Sequence, residues 1–181
     1  MYEKDVLLRD QSIIHLRSSE KHDFGNLWTM LSTLSEQSRQ FLPNRFTQDE
    51  LKTWMENIDY DKLLPIVAVT KSKDSEKPSI VALATLGFQQ GEARRHKAEF
   101  DIIVHDSFQG KGLGTILTKC MVDIARERGL KKVYLKTDTR NERAIHVYEK
   151  LGFKIEGKLI KEHFHYLTQK YCDDYRMAIL L

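Results

Sequence analysis

Apolar residues recur along the chain in two rhythms, and each rhythm predicts an element. Phe24, Leu27, Trp28, Leu31 and Leu34 share one helical face, which predicts a helix over Ser19 to Gln37 with a core-facing stripe. Pro43 interrupts the chain. Thr47-Gln48-Asp49-Glu50 then forms a capping box, and Leu51, Trp54 and Met55 carry a second helix through Glu56. Ile116, Leu117, Met121, Ile124 and Ala125 predict a third over Thr115 to Arg128, capped by Gly129. A fourth runs from Glu142 to Leu151 and ends at Gly152.

Apolar, β-prone runs predict strands at Ser12–Arg17, Leu63–Thr70, Ser79–Phe88, Phe100–Val104, Lys131–Thr137, Phe153–Ile160 and Cys172–Leu180. Polar segments join them: a hairpin loop at Lys71–Pro78, a loop at Gln89–Lys97, and an aromatic and basic connection at His163–Tyr171. The cluster Arg94-Arg95-His96-Lys97 reads as a solvated tip. Strands dominate the first half, and helices alternate with strands in the second. That order predicts an α/β (mixed α+β) domain with a mixed sheet and helices on both faces.

Composition narrows this picture little. At 181 residues the chain fits one domain, residues 1–181, large enough for a sizeable core. Lys plus Arg number 29 against 26 Asp plus Glu, a near balance that marks neither a nucleic-acid nor a membrane partner. Cys120 and Cys172 have no metal or redox spacing and read as reduced thiols, which suits the cytoplasm. The charged Met1–Arg9 segment has no apolar signal region, and no run is long enough to span a membrane.

The candidate chemistry begins where a strand turns into a helix. Gln109-Gly110-Lys111-Gly112-Leu113-Gly114 lies between Phe100–Val104 and the third helix. Such a turn suits an anion: the first helical amides have no intrahelical partner, the macrodipole favours negative charge, and glycine admits close backbone approach. Two phosphate loops fail here. A P-loop requires Gly-Lys-Ser/Thr, but Gly114 is followed by Thr115 and Lys111 sits inside the turn. A dinucleotide fingerprint requires Gly-x-Gly-x-x-Gly near the start of its unit, whereas this turn reads Gly-x-Gly-x-Gly past mid-chain.

Gln109-x-x-Gly112-x-Gly114 instead resembles the Gln/Arg-x-x-Gly-x-Gly/Ala motif of the GNAT superfamily of N-acetyltransferases. Asn141-Glu142-Arg143-Ala144-Ile145-His146-Val147-Tyr148-Glu149-Lys150-Leu151-Gly152-Phe153 resembles its second signature, in the family's order. The resemblance is specific over Ala98 to Ile155. It implies a GNAT-like, mostly antiparallel central sheet of about six to seven strands. It also implies acetyl-CoA as cosubstrate, with no metal. The backbone of Ile102, Ile103 and Val104 would pair with the pantetheine arm, as in strand addition. Gln109 and the amides of Gly110, Lys111, Gly112, Leu113, Gly114 and Thr115 would cradle the pyrophosphate. Asn141 matches a cofactor asparagine and is equally a helix N-cap.

Acetyl transfer to an amine requires a free amine, a polarised thioester carbonyl and a protonated leaving thiolate. By resemblance the transfer is direct, and Tyr148 holds the position of the general acid. Ribosomal-protein N-terminal acetyltransferases carry a glutamate where this chain has Lys136, so that base is missing. A second arrangement places a glutamate at the start of the strand before the glycine turn, and Glu99 fits it. Asp101, two residues on, shares its face. Asp138 is a further carboxylate. His163-x-His165 lacks a third ligand and reads as surface.

The acceptor stays open between two readings. Ala98-Glu99-Phe100, Arg45-Phe46 and Ile58-Asp59-Tyr60-Asp61 resemble bacterial protein-lysine acetyltransferases. The chain from Tyr148 onward resembles enzymes acting on small amines such as amino acids, polyamines or antibiotics. A homodimer is compatible with either. A non-catalytic acyl-CoA sensor is the alternative from another class.

Overall fold

Alternation along the central strands divides the interior into two cores. In β3 (Leu63–Thr70), Leu64, Ile66 and Ala68 join one cluster, and Val67 and Val69 join another. The first cluster takes in the long helix that follows the glycine turn, α4 (Leu113–Glu127), through Leu113, Leu117, Met121 and Ala125. The second packs α1 (Phe24–Ser32) and α3 (Gln48–Glu56) on the other face through Leu27, Leu31, Leu51 and Met55. Trp28 lies against this second core, as its stripe implied.

The computed structural model of the protein describes residues 2–42, 47–70 and 78–181. Pro43, Arg45-Phe46 and residues 71–77 of the polar loop lie outside them. The remaining strands are β1 (Glu3–Leu7), β2 (Ile13–Ser18), β4 (Ile80–Phe88), β5 (Lys97–Val104), β6 (Lys132–Asp138), β7 (Lys154–His165) and β8 (Lys170–Leu180). They form one sheet of eight strands in the order β1-β2-β3-β4-β5-β6-β8-β7. Every neighbouring pair is antiparallel except β5 with β6.

Three elements differ from expectation. The sheet has eight strands, not six to seven, because Glu3–Leu7 pairs with β2 although three of its five residues are charged and four are exposed. It is a polar edge strand, where apolar alternation is not needed. The strand β7 runs on to His165, through the expected connection at His163–Tyr171, and β8 starts at Lys170. Bulges between Ile155 and Gly157 and between Leu159 and His163 break the alternation that would have revealed β7.

The single helix expected over Ser19–Gln37 is broken. A short turn at Lys21–Asp23 leads into α1, and a separate turn, α2 (Glu36–Arg39), follows. The break has a tertiary cause. Ser35 donates to Asp106 from its backbone nitrogen (2.8 Å) and its hydroxyl (2.6 Å), and Ser38 Oγ donates to the same carboxylate (2.5 Å). Partial burial opposes ionisation of Asp106, but these bonds prevail and hold its pKa at about 2. Asp106→Ala is expected to cost about 1–2 kcal/mol, as for a lost helix cap. Because the folded pKa is depressed, the contribution is full above the unfolded value of about 3.9 and disappears as pH falls towards 2. Urea unfolding at pH 7 and pH 2.5 checks both points.

Candidate active site

The glycine turn is built to leave helix amides open. Gly110 and Gly112 take φ values of 79° and 91°, where a side chain is strained. Gly112 is the N-cap of α4, and among the described residues no side chain caps the helix start. The helix therefore begins at Leu113, two residues earlier than its apolar spacing implied. Leu113 is fully buried and anchors the first turn. The amides of Leu113, Gly114 and Thr115 are those a helix start leaves without intrahelical partners.

Gln109 holds the turn in place. Its Nε2 donates to Val104 O (3.0 Å) and Ser38 Oγ (2.9 Å), and its Oε1 accepts from Arg143 Nη1 (3.0 Å). Lys111 turns away: its Nζ pairs with Asp10 (2.9 Å) and lies over the Phe108 ring. Two arginines that sequence reasoning passed over flank the glycines instead. A Cβ on Gly110 would meet Arg143 Nη2 at 3.7 Å, and one on Gly112 would meet Arg9 Nε at 3.5 Å. Arg143 stood inside the second motif. Arg9 had no local signal, because the β1–β2 turn is docked here by a long-range bond, Arg9 N to Lys111 O (3.1 Å).

Beside the turn the sheet opens. The strands β5 and β6 pair only at Lys97–Lys132, Ala98–Val133 and Glu99–Tyr134. Beyond that point β5 keeps its ladder with β4, where Ile102, Ile103 and Val104 pair with Ala84, Leu83 and Ala82. Among the described residues no strand pairs with their edge towards β6. A cleft of about 850 Å³ fills this region, lined by Asp101, Ile102, Ile103, Asn141 and Tyr148 among others. Asn141 Oδ1 accepts from Ala144 N (3.3 Å), so it caps α5 (Glu142–Lys150).

Tyr148 is buried in α5 at 8% exposure, edge-on to Phe100 with ring centres 6.3 Å apart and tilted against Phe153 at 5.9 Å. Burial, and then the charge of Asp101, hold its pKa well above the usual tyrosine range. The phenol therefore stays protonated at neutral pH. Asp101 faces open space in the cleft yet is crowded by protein on most sides. That crowding, with Glu99 adding repulsion and Lys136 opposing it, raises its pKa to about 6. Glu99 instead accepts from Tyr134 OH (3.2 Å), and it is not among the cleft-lining residues. At Lys136, where a glutamate was missing, the strand β7 brings one: Glu162 pairs with Lys136 Nζ at 2.9 Å. His163 and His165 are not surface residues. His165 is fully buried and His163 lines the cleft.

A mixed sheet parted between two parallel strands, with a glycine-started helix beside the gap, is the GNAT type of α/β architecture. The protein resembles an acetyltransferase of the GNAT family from Streptococcus pneumoniae with a TM-score of 0.76, at 23% identity over 93% of this chain and 99% of that one. The chain belongs to the acetyltransferase (GNAT) family, whose model matches residues 28–153. It is 39% identical over 107 residues to spermidine N(1)-acetyltransferase of Escherichia coli (strain K12), covering 59% of this chain and 54% of that protein. The chain thus spans about half the length of this curated relative. A solved spermidine N-acetyltransferase from Vibrio cholerae, in complex with CoA and spermine, has a TM-score of 0.76 at 26% identity, over 92% of this chain and 95% of that one. Among the described residues no helix is long and apolar enough to cross a membrane.

Proposed function

We propose that the protein is an acetyl-CoA-dependent N-acetyltransferase acting on a small, cationic primary amine. The observation that carries this reading is the parted β5–β6 pair, with an uncapped helix start beside it and Tyr148 and Asp101 lining one cleft. The turn fits a CoA pyrophosphate: positive-φ glycines, open helix amides, and Arg9 and Arg143 on either side. The free edge of Ile102–Val104 fits a pantetheine arm. The cleft lining includes Glu50, Asp101, Asp138, Glu162 and Asp174 against Lys136, with Arg140 bonded to Asp138, an excess of acid that favours a cationic acceptor.

The residues divide the proton work. Asp101 takes the proton from the incoming ammonium, for which a pKa of about 6 leaves it ionised at neutral pH. It is favoured over Glu99, whose carboxylate is engaged by Tyr134. Tyr148, held protonated, gives its proton to the departing thiolate. An acetyl-CoA turnover assay over a panel of polyamines, amino acids and lysine peptides, read by thiol release, tests the assignment. No turnover on any amine would leave the sensor reading standing.

The pH dependence follows from Asp101. The base works only when ionised, so kcat/KM should fall as pH drops below about 6. Asp101→Asn is expected to lose that limb and to lower kcat/KM about 10²-fold at neutral pH. The loss should shrink at high pH, where an amine of pKa about 10.4 supplies its own free base. A variant profile that overlays the parent from pH 5 to 9 removes Asp101 from the reaction.

A further inference from the structure

On the sheet beyond β6, the cleft contains a carboxylate that is incompletely hydrogen-bonded among the described residues. Asp174 on β8 stands directly across from Asp138 on β6. Asp138 is satisfied by Arg140, at 2.8 Å from Nε and 2.5 Å from Nη2. Glu162 is satisfied by Lys136. Asp174 is only 7% exposed, and its Oδ1 makes no hydrogen bond among the described residues. The bulge in β7 brings His163 beside it, with Nδ1 3.3 Å from that oxygen but not aligned as a hydrogen bond. Both buried ring nitrogens of His163 are likewise without a hydrogen-bond partner. Burial raises the pKa of Asp174. His163 acts against that rise, and Asp138 and Glu162 add to it. Buried polar groups left open in this way are costly unless something completes them.

A metal ion is one candidate. Asp138, His163 and Cys172 each offer a ligand atom, all within 4.8 Å of one another. Arg140 argues against it: its Nη2 contacts both Asp138 Oδ2 and Cys172 Sγ, the latter at 3.1 Å. A guanidinium already serves two of the three donors. The groups left open are Asp174 Oδ1 and the His163 ring, an acceptor set suited to an ammonium.

We propose that Asp174 and His163 form a subsite for a second, protonated nitrogen of the acceptor. The molecule bound is then a di- or polyamine, with its reacting nitrogen at Asp101 and Tyr148 and another at Asp174. The proposal rests on the acetyltransferase reading, and it goes further by naming the residues that separate diamines from monoamines. Asp174 Oδ1 and the two His163 ring nitrogens are buried, so a rotation of Asp174 and His163 towards the cleft lets the distal ammonium donate to that oxygen and to a ring nitrogen, and a monoamine leaves both unpaired.

Calorimetric titration of the full chain with spermidine, putrescine and pentylamine, without acetyl-CoA, tests this independently of turnover. A charge-assisted pair of this kind should favour a polyamine over pentylamine by roughly 10- to 100-fold. Asp174→Asn, isosteric and free of the unpaired charge, should remove most of that ratio. His163→Gln, a second variant at the same place, should remove part of it. Equal affinities in the parent, or a ratio unchanged in both variants, would overturn the proposal. So would stoichiometric zinc binding that Cys172→Ser abolishes and spermidine does not displace. A preserved ratio lost in Asp174→Asn, with no acetyl transfer to any amine, would reject the catalytic reading and leave the subsite standing.

Discussion

Replacing Tyr148 by Phe is expected to lower turnover by about 10²- to 10⁴-fold, the usual worth of a general acid. Acetyl-CoA binding should be unchanged, because the ring's packing survives. Phe153 and Phe100 contact the ring of Tyr148, and a phenylalanine keeps those contacts. Among the described residues the Tyr148 hydroxyl, at the cleft, has no hydrogen bond to lose, which also spares stability. The signature is therefore a fall in kcat without loss of fold or cofactor affinity. The measurement is steady-state kinetics beside an acetyl-CoA titration. A variant as fast as the parent would make Tyr148 a packing residue only.

The second large effect is expected at Gly112. Acetyl-CoA at about a hundred times its dissociation constant adds roughly 2.7 kcal/mol to the parent's stability. For a domain of this size that is a melting shift of roughly 5–10 °C. Gly112→Glu should abolish it. The site takes a φ of 91°, so any side chain is strained there, and a Cβ would approach Arg9 Nε at 3.5 Å. The new carboxylate would also claim Arg9 and repel a phosphate. Gly112→Ala carries the strain without the charge, so a partial shift in Ala and none in Glu separates the two causes. NAD and ATP should give the parent no comparable shift. A Gly112→Glu protein that acetyl-CoA still stabilises would move the cofactor elsewhere.

What could be read from the chain was local. The glycine turn, the capping box at Thr47 and Glu50, and the helix from Glu142 depend on residues a few positions apart. The structure places the capping box and the helix from Glu142 where their spacing implied, and it starts the helix of the glycine turn two residues early. The strand Leu63–Thr70 agrees to the residue, because both its faces are buried and its apolar run is unbroken. What escaped was long-range. Asp106 breaks the first helix from 71 residues away, a cause invisible in the apolar stripe of Phe24 to Leu34. Glu162, His163 and Asp174 reach the cleft only because β7 bulges and pairs with β8 beyond β6. Glu99 and Asp101 looked alike, sharing one strand face. Tyr134, across the parallel pair, engages Glu99, while Asp101 lies beyond the last rung and faces the opening.

That last rung has a mechanical consequence. The sheet is two leaves, β1 to β5 and β6-β8-β7, hinged along three residue pairs at one end. The helix α4 lies against both leaves, with Leu117 and Met121 buried in the same core as Phe100 and Leu135. The two leaves thus rest in part on Leu117 and Met121, buried side chains that do not line the cleft. A methylene added or removed under α4 would change the gauge of the active site without altering a single residue in it.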